Sequence, residues 1–148
     1  MLAQRLVRVI ENHSDKLAEG LVERIRSSSR TLDYLKISEH ELRQQTYDIY
    51  RHLGDWLLNK TETDIEFRYV KLGVRRFEQG IKISDFVWAV IITKEYLWRF
   101  VQAEAGVEGM VQLFGEIELF RLLEEFFDRA IYYATVGYER ASRGERAA

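Results

Sequence analysis

The stretch LGVRRFEQGIKISDFVWAVIITKEYLWRFV, residues 72–101, decides the fold. Its first part predicts a helix that ends at Gly80, because glycine readily adopts the left-handed conformation that closes many helices. Ser84 is then expected to cap a second helix, which is apolar on almost every side as far as Val101. A helix of that kind has to be enclosed by other elements or by a membrane, so we expect this segment to form the centre of the molecule. Charged residues interrupt it at only four positions: Asp85, Lys94, Glu95 and Arg99.

Composition is that of an ordinary globular chain. The 148 residues match the size of one domain, which we predict to span 1–148. The apolar fraction is 47%, the charged fraction 31% and the net charge −2, with acidic and basic residues interspersed. A nucleic-acid surface usually needs a basic face, so we expect no nucleic-acid partner. The absence of cysteine excludes disulfide bonds, thiol catalysis and cysteine-ligated zinc.

The sequence has no membrane or export signature. A membrane-spanning helix needs about 18 or more consecutive apolar residues, and no stretch of this chain reaches that length without a charge. The N-terminal segment MLAQRLVRVIENHSD lacks the apolar core of a secretory signal. We therefore expect a cytoplasmic protein with no membrane partner.

Apolar residues recur at three- and four-residue intervals, and proline, which breaks helix interiors, is absent. This pattern predicts an all-α protein, a compact five-helix bundle with a long C-terminal helix. Capping boxes, in which a hydroxyl and a carboxylate bond to each other's backbone, are predicted at 38–41 and 63–66. The predicted helices are 2–28 with a kink or break at 12–15 and Ser14 as a cap, 38–58, 63–79, the segment from Ser84 to a loop at 105–109, and 110 to beyond Tyr138.

Gly73 lies inside the third predicted helix, where glycine costs about 1 kcal/mol relative to alanine. Close approach of a second helix is the usual reason for a glycine at such a position, and we expect one here. The adjacent Arg75 and Arg76 are expected to pair with Glu78 or Asp85, or else to face an acidic partner.

The residues around the end of the third predicted helix resemble a family pattern. In that pattern a helix ends in Leu-Gly-x-x-Arg, x-x-Gly-Ile follows, and a serine-capped apolar helix comes next. The matching positions are Leu72, Gly73, Arg76, Gly80, Ile81 and Ser84. The chain thus resembles the N-terminal domain of the RsbRD-type regulators, the RsbT co-antagonist group, over roughly residues 6–135.

The resemblance implies a sensory or regulatory module, not a catalyst. In that family the helical domain usually precedes a STAS domain or a histidine kinase. Related N-terminal modules resemble a globin without haem and dimerise, so a haem-free globin-like arrangement is expected here. This chain ends at Ala148, and both a stand-alone member and a fragment of a longer regulator fit the pattern.

No group of residues points to a catalytic or metal centre. The Glu-x-x-His motif of di-iron bundles is absent, because isoleucine stands three residues before each histidine. We expect His13 to face inward, His40 to be exposed, and His52 to pair with Asp48 one turn earlier. The glycines Gly106 and Gly109 are too weak a signal for a phosphate-binding loop. The sequence therefore predicts no enzyme, no cofactor and no metal.

Aromatic residues are concentrated in the second to fourth predicted helices. They are candidates to line a small-molecule pocket, as a sensor would require, and plain core packing is the alternative interpretation. The candidate pocket residues are Trp56, Tyr69, Phe77, Trp88 and Trp98.

The last predicted helix has a very wide apolar surface, which favours a partner helix, most simply that of a second copy. We expect a homodimer that signals by movement of this helix. An adaptor that binds another signalling protein, through this helix or through Arg75 and Arg76, without any small-molecule ligand, is the alternative. The candidate dimer-interface residues are Leu119, Leu123, Phe126, Phe127, Ala130 and Tyr133.

Overall fold

Helices account for the regular secondary structure of the described chain, which confirms the all-α prediction. The computed structural model describes residues 3–105 and 110–144. A 3-10 turn spans Leu32–Lys36, and a π-helical turn spans Asp55–Asn59. The α-helices are α1 (Gln4–Asn12), α2 (Ser14–Ser27), α3 (Glu39–Arg51), α4 (Glu62–Glu78), α5 (Ile83–Ala105) and α6 (Met110–Ser142).

The first predicted helix is two helices, α1 and α2, so the described chain contains six α-helices where five were predicted. The break falls at His13, whose backbone N–H donates to the carbonyl of Ile10 at 3.1 Å. Its ring nitrogen Nδ1 lies 2.7 Å from the carbonyl oxygen of Val9. The expectation that Ser14 is a cap is wrong, because His13 occupies the cap position and Ser14 is the buried first residue of α2.

The second predicted helix was expected to reach residue 58 but α3 ends at Arg51. A contact with α1 explains the break, because the backbone N–H of Gly54 donates to Oε2 of Glu11 at 2.9 Å. The π-helical turn then closes with a 2.8 Å bond from the N–H of Lys60 to the carbonyl of Asp55.

The capping box of α4 is formed by Thr61 and Asp64, so the prediction at 63–66 was two residues late. The N–H of Asp64 donates to the Thr61 hydroxyl at 3.2 Å, and the N–H of Thr61 donates to the Asp64 carboxylate at 2.9 Å. These bonds lower the pKa of Asp64, the backbone bond from Thr61 contributing most. The helix starts early because Thr61 directly follows the turn closed by Lys60.

The end of α4 confirms the prediction at Gly80, which has a φ of 77°. The N–H of Gly80 donates to the carbonyl of Phe77, and the N–H of Ile81 donates to that of Arg76, both at 3.0 Å. These two bonds are the Schellman motif. Ile81 is buried, as the apolar contact of that motif requires.

Ser84 does not cap α5, which begins one residue earlier at Ile83. Two aspartates tie this helix start to the 3-10 turn instead. The N–H of Lys82 donates to Oδ2 of Asp33 at 2.9 Å, and the N–H of Asp33 donates to Oδ2 of Asp85 at 3.0 Å. Ser84 itself is exposed.

Helix α5 is not enclosed on all sides, contrary to the expectation from its apolar sequence. Apart from four buried residues, the described apolar side chains of α5 are at least partly exposed, among them Val90 and Trp98. The closest helix pair is α4 with α6, whose backbones meet at Gly73, as the sequence predicted. The buried apolar residues of α5 are Phe86, Ala89, Leu97 and Val101.

Candidate functional site

A cavity of about 320 Å³ lies among α3, α4, α5 and α6. This volume is at the lower end of the range typical of small-molecule pockets, roughly 300–1,000 Å³. The cavity wall is mostly apolar, which is also typical of such pockets. The side chains that make most of this wall include Leu42, Ile49, Leu72, Phe86, Val90 and Phe127.

Two threonines in the cavity wall have their hydroxyl protons already engaged. Thr46 donates to the carbonyl of Leu42 at 2.8 Å, and Thr93 donates to the carbonyl of Ala89 at 2.7 Å. Each bond runs back one turn within its own helix. The hydroxyl oxygens therefore offer lone pairs to a ligand, while their protons serve the backbone.

An ion-pair group joins α3 to α4 at one end of the cavity. The carboxylate of Glu41 accepts from Nε and Nη2 of Arg75, at 2.9 and 2.5 Å, and from Nε2 of Gln79 at 2.9 Å. These bonds, that of Arg75 above all, lower the pKa of Glu41 to about 2. Arg75 therefore pairs with Glu41 on another helix, and the prediction of a partner at Glu78 or Asp85 is wrong.

Arg76 belongs to the same group and is buried, with only 5% of its side chain exposed. Its Nη2 donates to Oε1 of Gln45 at 2.6 Å, and its Nη1 donates to Oε1 of Gln79 at 2.8 Å. Its guanidinium lies 5.6 Å from the ring centroid of Tyr34. Burial raises the pKa of that tyrosine, so its hydroxyl remains neutral. Arg76 is thus held among cavity side chains instead of facing a partner at the surface.

A second ion pair joins α3 to α4 at the other end of the cavity. Nη1 of Arg68 lies 3.2 Å from Oδ2 of Asp48. The His52 ring also contacts Asp48, at 3.5 Å, which confirms the predicted pair. Between the two ion-pair groups, Lys71 lines the cavity. Its Nζ lies 3.9 Å from the ring centroid of Phe67.

The five aromatic residues proposed as a pocket occupy separate places. Tyr69 lines the cavity, and Trp56 packs edge-on against it with ring centroids 6.3 Å apart. Phe77 contacts Tyr138 on α6 at 5.4 Å. The remaining two lie elsewhere: Trp88 lies beneath the guanidinium of Arg30 at 4.4 Å, and Trp98 packs against Phe120 at 5.1 Å.

Five of the six proposed dimer-interface residues are buried inside the protomer, and Tyr133 is half-buried. A second copy cannot reach the buried side chains in this conformation. The interface itself stays a prediction. Among the described side chains of α6, the large apolar ones that are exposed are Phe114, Ile117, Phe120 and Tyr132.

The histidines are not grouped into a site. His40 is exposed, as predicted. His13 is half-buried, with its ring centroid 5.5 Å from that of Phe100. Across residues 3–105 and 110–144 no cluster of acidic and histidine side chains is arranged to hold a metal ion. In the same ranges no helix combines the length and apolar character needed to cross a membrane. The glycines at 106 and 109 lie outside the described residues.

A comparison with protein families matches residues 15–148 to the model of the RsbT co-antagonist protein rsbRD N-terminal domain. The chain belongs to this family. The match confirms the resemblance predicted over roughly residues 6–135. It gives the RsbRD N-terminal domain a regulatory context, since a co-antagonist acts on other signalling proteins. Searches of curated proteins and of solved structures found no match.

Proposed function

We propose that this RsbRD N-terminal domain is a non-catalytic sensory module. It binds a small molecule in the cavity among α3, α4, α5 and α6 and transmits occupancy through α6. The observation that carries the proposal is the cavity itself, about 320 Å³ with a mostly apolar wall. An apolar wall that faces such a cleft costs hydrophobic free energy that a tighter core would recover. A domain that binds a ligand there has a reason to keep it.

The cavity is placed so that a ligand would act on α6. Phe127 and Ala130 of α6 form part of its wall. One helical turn beyond Ala130, Ala134 meets α4 at Gly73, where the two backbones touch. Because packed interfaces shift between discrete arrangements and do not deform continuously, a ligand that pushes on Phe127 would slide or turn α6 against α4 without separating the two helices at Gly73. The signal would then reach the last turn of α6 at Ser142.

The proposal includes a homodimer in which α6 of each protomer contacts the partner copy. Phe114, Ile117 and Phe120 are each at least 45% exposed and recur every three residues. Trp98 extends this apolar surface onto α5 through its contact with Phe120. A protein-binding adaptor without a ligand is the second candidate, and the same exposed surface favours it. Arg75 and Arg76 give the adaptor less support, because Glu41 and Gln79 already engage them.

A neutral dye tests the cavity. N-phenyl-1-naphthylamine becomes fluorescent in apolar sites, and we expect the folded protein to bind one equivalent saturably. Val90→Phe places a large ring in the cavity wall and should abolish the dye signal while the far-ultraviolet circular dichroism stays helical. Val9→Phe makes the same substitution on α1, away from the cavity, and should bind the dye normally. Equal dye binding by both variants, or none by the native protein, would contradict the sensory proposal and favour the adaptor.

A further inference from the structure

The charges of α3 and α4 do not balance where these helices flank the cavity. On α4, Arg68, Lys71 and Arg75 follow at intervals of three and four residues, so they share one face of the helix. On α3, Asp48 pairs with Arg68 and Glu41 pairs with Arg75.

Lys71 lies between these pairs without a carboxylate. Gln45 shares the face of α3 that carries Glu41 and Asp48, but it is neutral, and its Oε1 accepts from Nη2 of Arg76. Among the described residues, Lys71 forms no ion pair; its side chain is exposed, and its Nζ lies over the ring of Phe67. The two helices thus form a series of opposed charges from which one carboxylate is missing.

The excess of positive charge extends into the cavity. Four cationic residues line it and no acidic side chain does, as far as the described residues show. The carboxylates of Glu41 and Asp48, which lie beside the cavity, balance two of these four positive charges, so two remain unbalanced. Like charges one turn apart on a helix repel, and Arg76, with 5% of its side chain exposed, adds a charge that water screens little. An anion between the helices would relieve this repulsion, whereas a cation would increase it.

The other side chains of the cavity wall restrict the chemical class of that anion. Apart from its four cationic side chains the wall is mostly apolar, and the hydroxyls of Thr46 and Thr93 donate to their own helices. Two cavity side chains hold buried polar atoms without a hydrogen-bond partner, the Tyr50 hydroxyl and Nε of Arg76, and both can donate. The site therefore suits an apolar body and a single acceptor-rich, negatively charged group.

We propose that the cavity binds an apolar molecule with one terminal anionic group, a carboxylate in the simplest case, which pairs with Lys71 between the Glu41–Arg75 and Asp48–Arg68 pairs. This inference rests on the proposed sensory function and specifies the class of its ligand. The anion completes the missing position of the charge series, and its apolar chain fills the space lined by Leu72, Val90 and Phe127.

A series of ten-carbon compounds with different head groups tests the inference. Each competes with N-phenyl-1-naphthylamine on the intact protein: decanoate, decyl sulfate, decanol and decylammonium. We expect decanoate to displace the dye at a concentration about tenfold below that of decanol, and decylammonium to compete least. Decyl sulfate reveals whether charge alone suffices: competition equal to decanoate supports a general anion site, and weaker competition supports a carboxylate site.

Two variants locate the head group. Lys71→Gln removes the cation, and Gln45→Glu adds a negative charge beside Arg76 in the cavity wall, so each should weaken decanoate about five- to tenfold and leave decanol unchanged. Lys16→Gln, an exposed lysine on α2, is the matched control and should change neither. Equal competition by decanol and decanoate in the native protein would overturn the anion proposal while leaving dye binding, and thus the sensory function, intact. Loss of decanol binding in Lys71→Gln would show a structural effect and would equally overturn the assignment of Lys71.

Discussion

Gly73 of α4 and Gly137 of α6 lie in one helix contact, and the space of each missing Cβ is filled by the backbone of the other helix. A Cβ built on Gly73 would lie 1.9 Å from the carbonyl oxygen of Ala134, and one built on Gly137 would lie 2.1 Å from that of Val70. Backbone atoms cannot rotate away as a side chain can. This contact therefore fixes the distance between the two helices.

Gly73→Ala and Gly137→Ala should each destabilise the protein by about 1–3 kcal/mol. Overpacking costs about that much, even though alanine recovers about 1 kcal/mol of helix propensity over glycine. Urea unfolding followed by circular dichroism measures the change. Because both substitutions separate the same helix pair, the double variant should lose less than the sum of the two.

Gly20→Ala is the matched comparison. Its added Cβ would lie 2.0 Å from the hydroxyl oxygen of Tyr96, which is the far end of a partly exposed side chain. That ring can move, so this variant should lose much less stability than the other two. A larger loss at Gly20 than at Gly73 would contradict the rigid α4–α6 contact.

Gly80→Ala should destabilise the protein by about 1 kcal/mol, because an L-residue at a φ of 77° is strained. Gly80→Asn should cost less, since asparagine tolerates the left-handed region better than alanine does. Urea unfolding of the three proteins gives the order. Equal stability of Gly80→Ala and the native protein would show that the Schellman bonds of Gly80 and Ile81 do not need this conformation.

The sequence predicted what depends on local chemistry. Gly80 closes α4 and Ser38 caps α3, because each acts through bonds to its own few neighbours. Two of its errors came from contacts between distant segments. The α3 end at Arg51 depends on the bond from Gly54 to Glu11, and the start of α5 depends on Asp33.

The candidate site was the least predictable part. Trp88 and Trp98 belong to the aromatic cluster of the sequence, but which rings share a cavity depends on how helices pack. Neither lines the cavity, whose wall combines aromatic residues such as Tyr69 with aliphatic ones such as Ile49 and Val90. One signal was available, since Glu41 and Asp48 on α3 carry the opposite charge to Arg68 and Arg75 on α4. That complementarity could have indicated that the two helices face each other.

Acid should weaken the link between α3 and α4 in a defined pH range. The pKa of Glu41 is about 2 in the folded protein, below its ordinary 4.5. A lowered folded-state pKa contributes stability above the unfolded value, and this contribution is lost as pH falls through the folded value. Glu41→Gln should therefore cost about 1 kcal/mol near pH 7, and the difference from the native protein should shrink between about pH 4.5 and 2.

Glu39→Gln is the control for the charge at the start of α3. Glu39 and Glu41 both lie in the first turn of α3, so either substitution by glutamine removes the same favourable interaction with the helix dipole. Only Glu41 pairs with Arg75. A pH dependence of the same size in both variants would assign the effect to the helix dipole and not to the ion pair.

Self-association should depend on the exposed face of α6 and not on the residues that the apolar pattern first suggests. Ile117 is 54% exposed, whereas Leu123 is buried in the protomer. Ile117→Gln should shift the native dimer to a 17.6 kDa species in light scattering at micromolar concentration, with the monomer still folded. Leu123→Ala should instead cost about 2–5 kcal/mol of monomer stability by leaving a cavity.

If the native protein is already a 17.6 kDa monomer, the dimer proposal is wrong. If Leu123→Ala dissociates a dimer without loss of stability, α6 must turn its buried face outward on association.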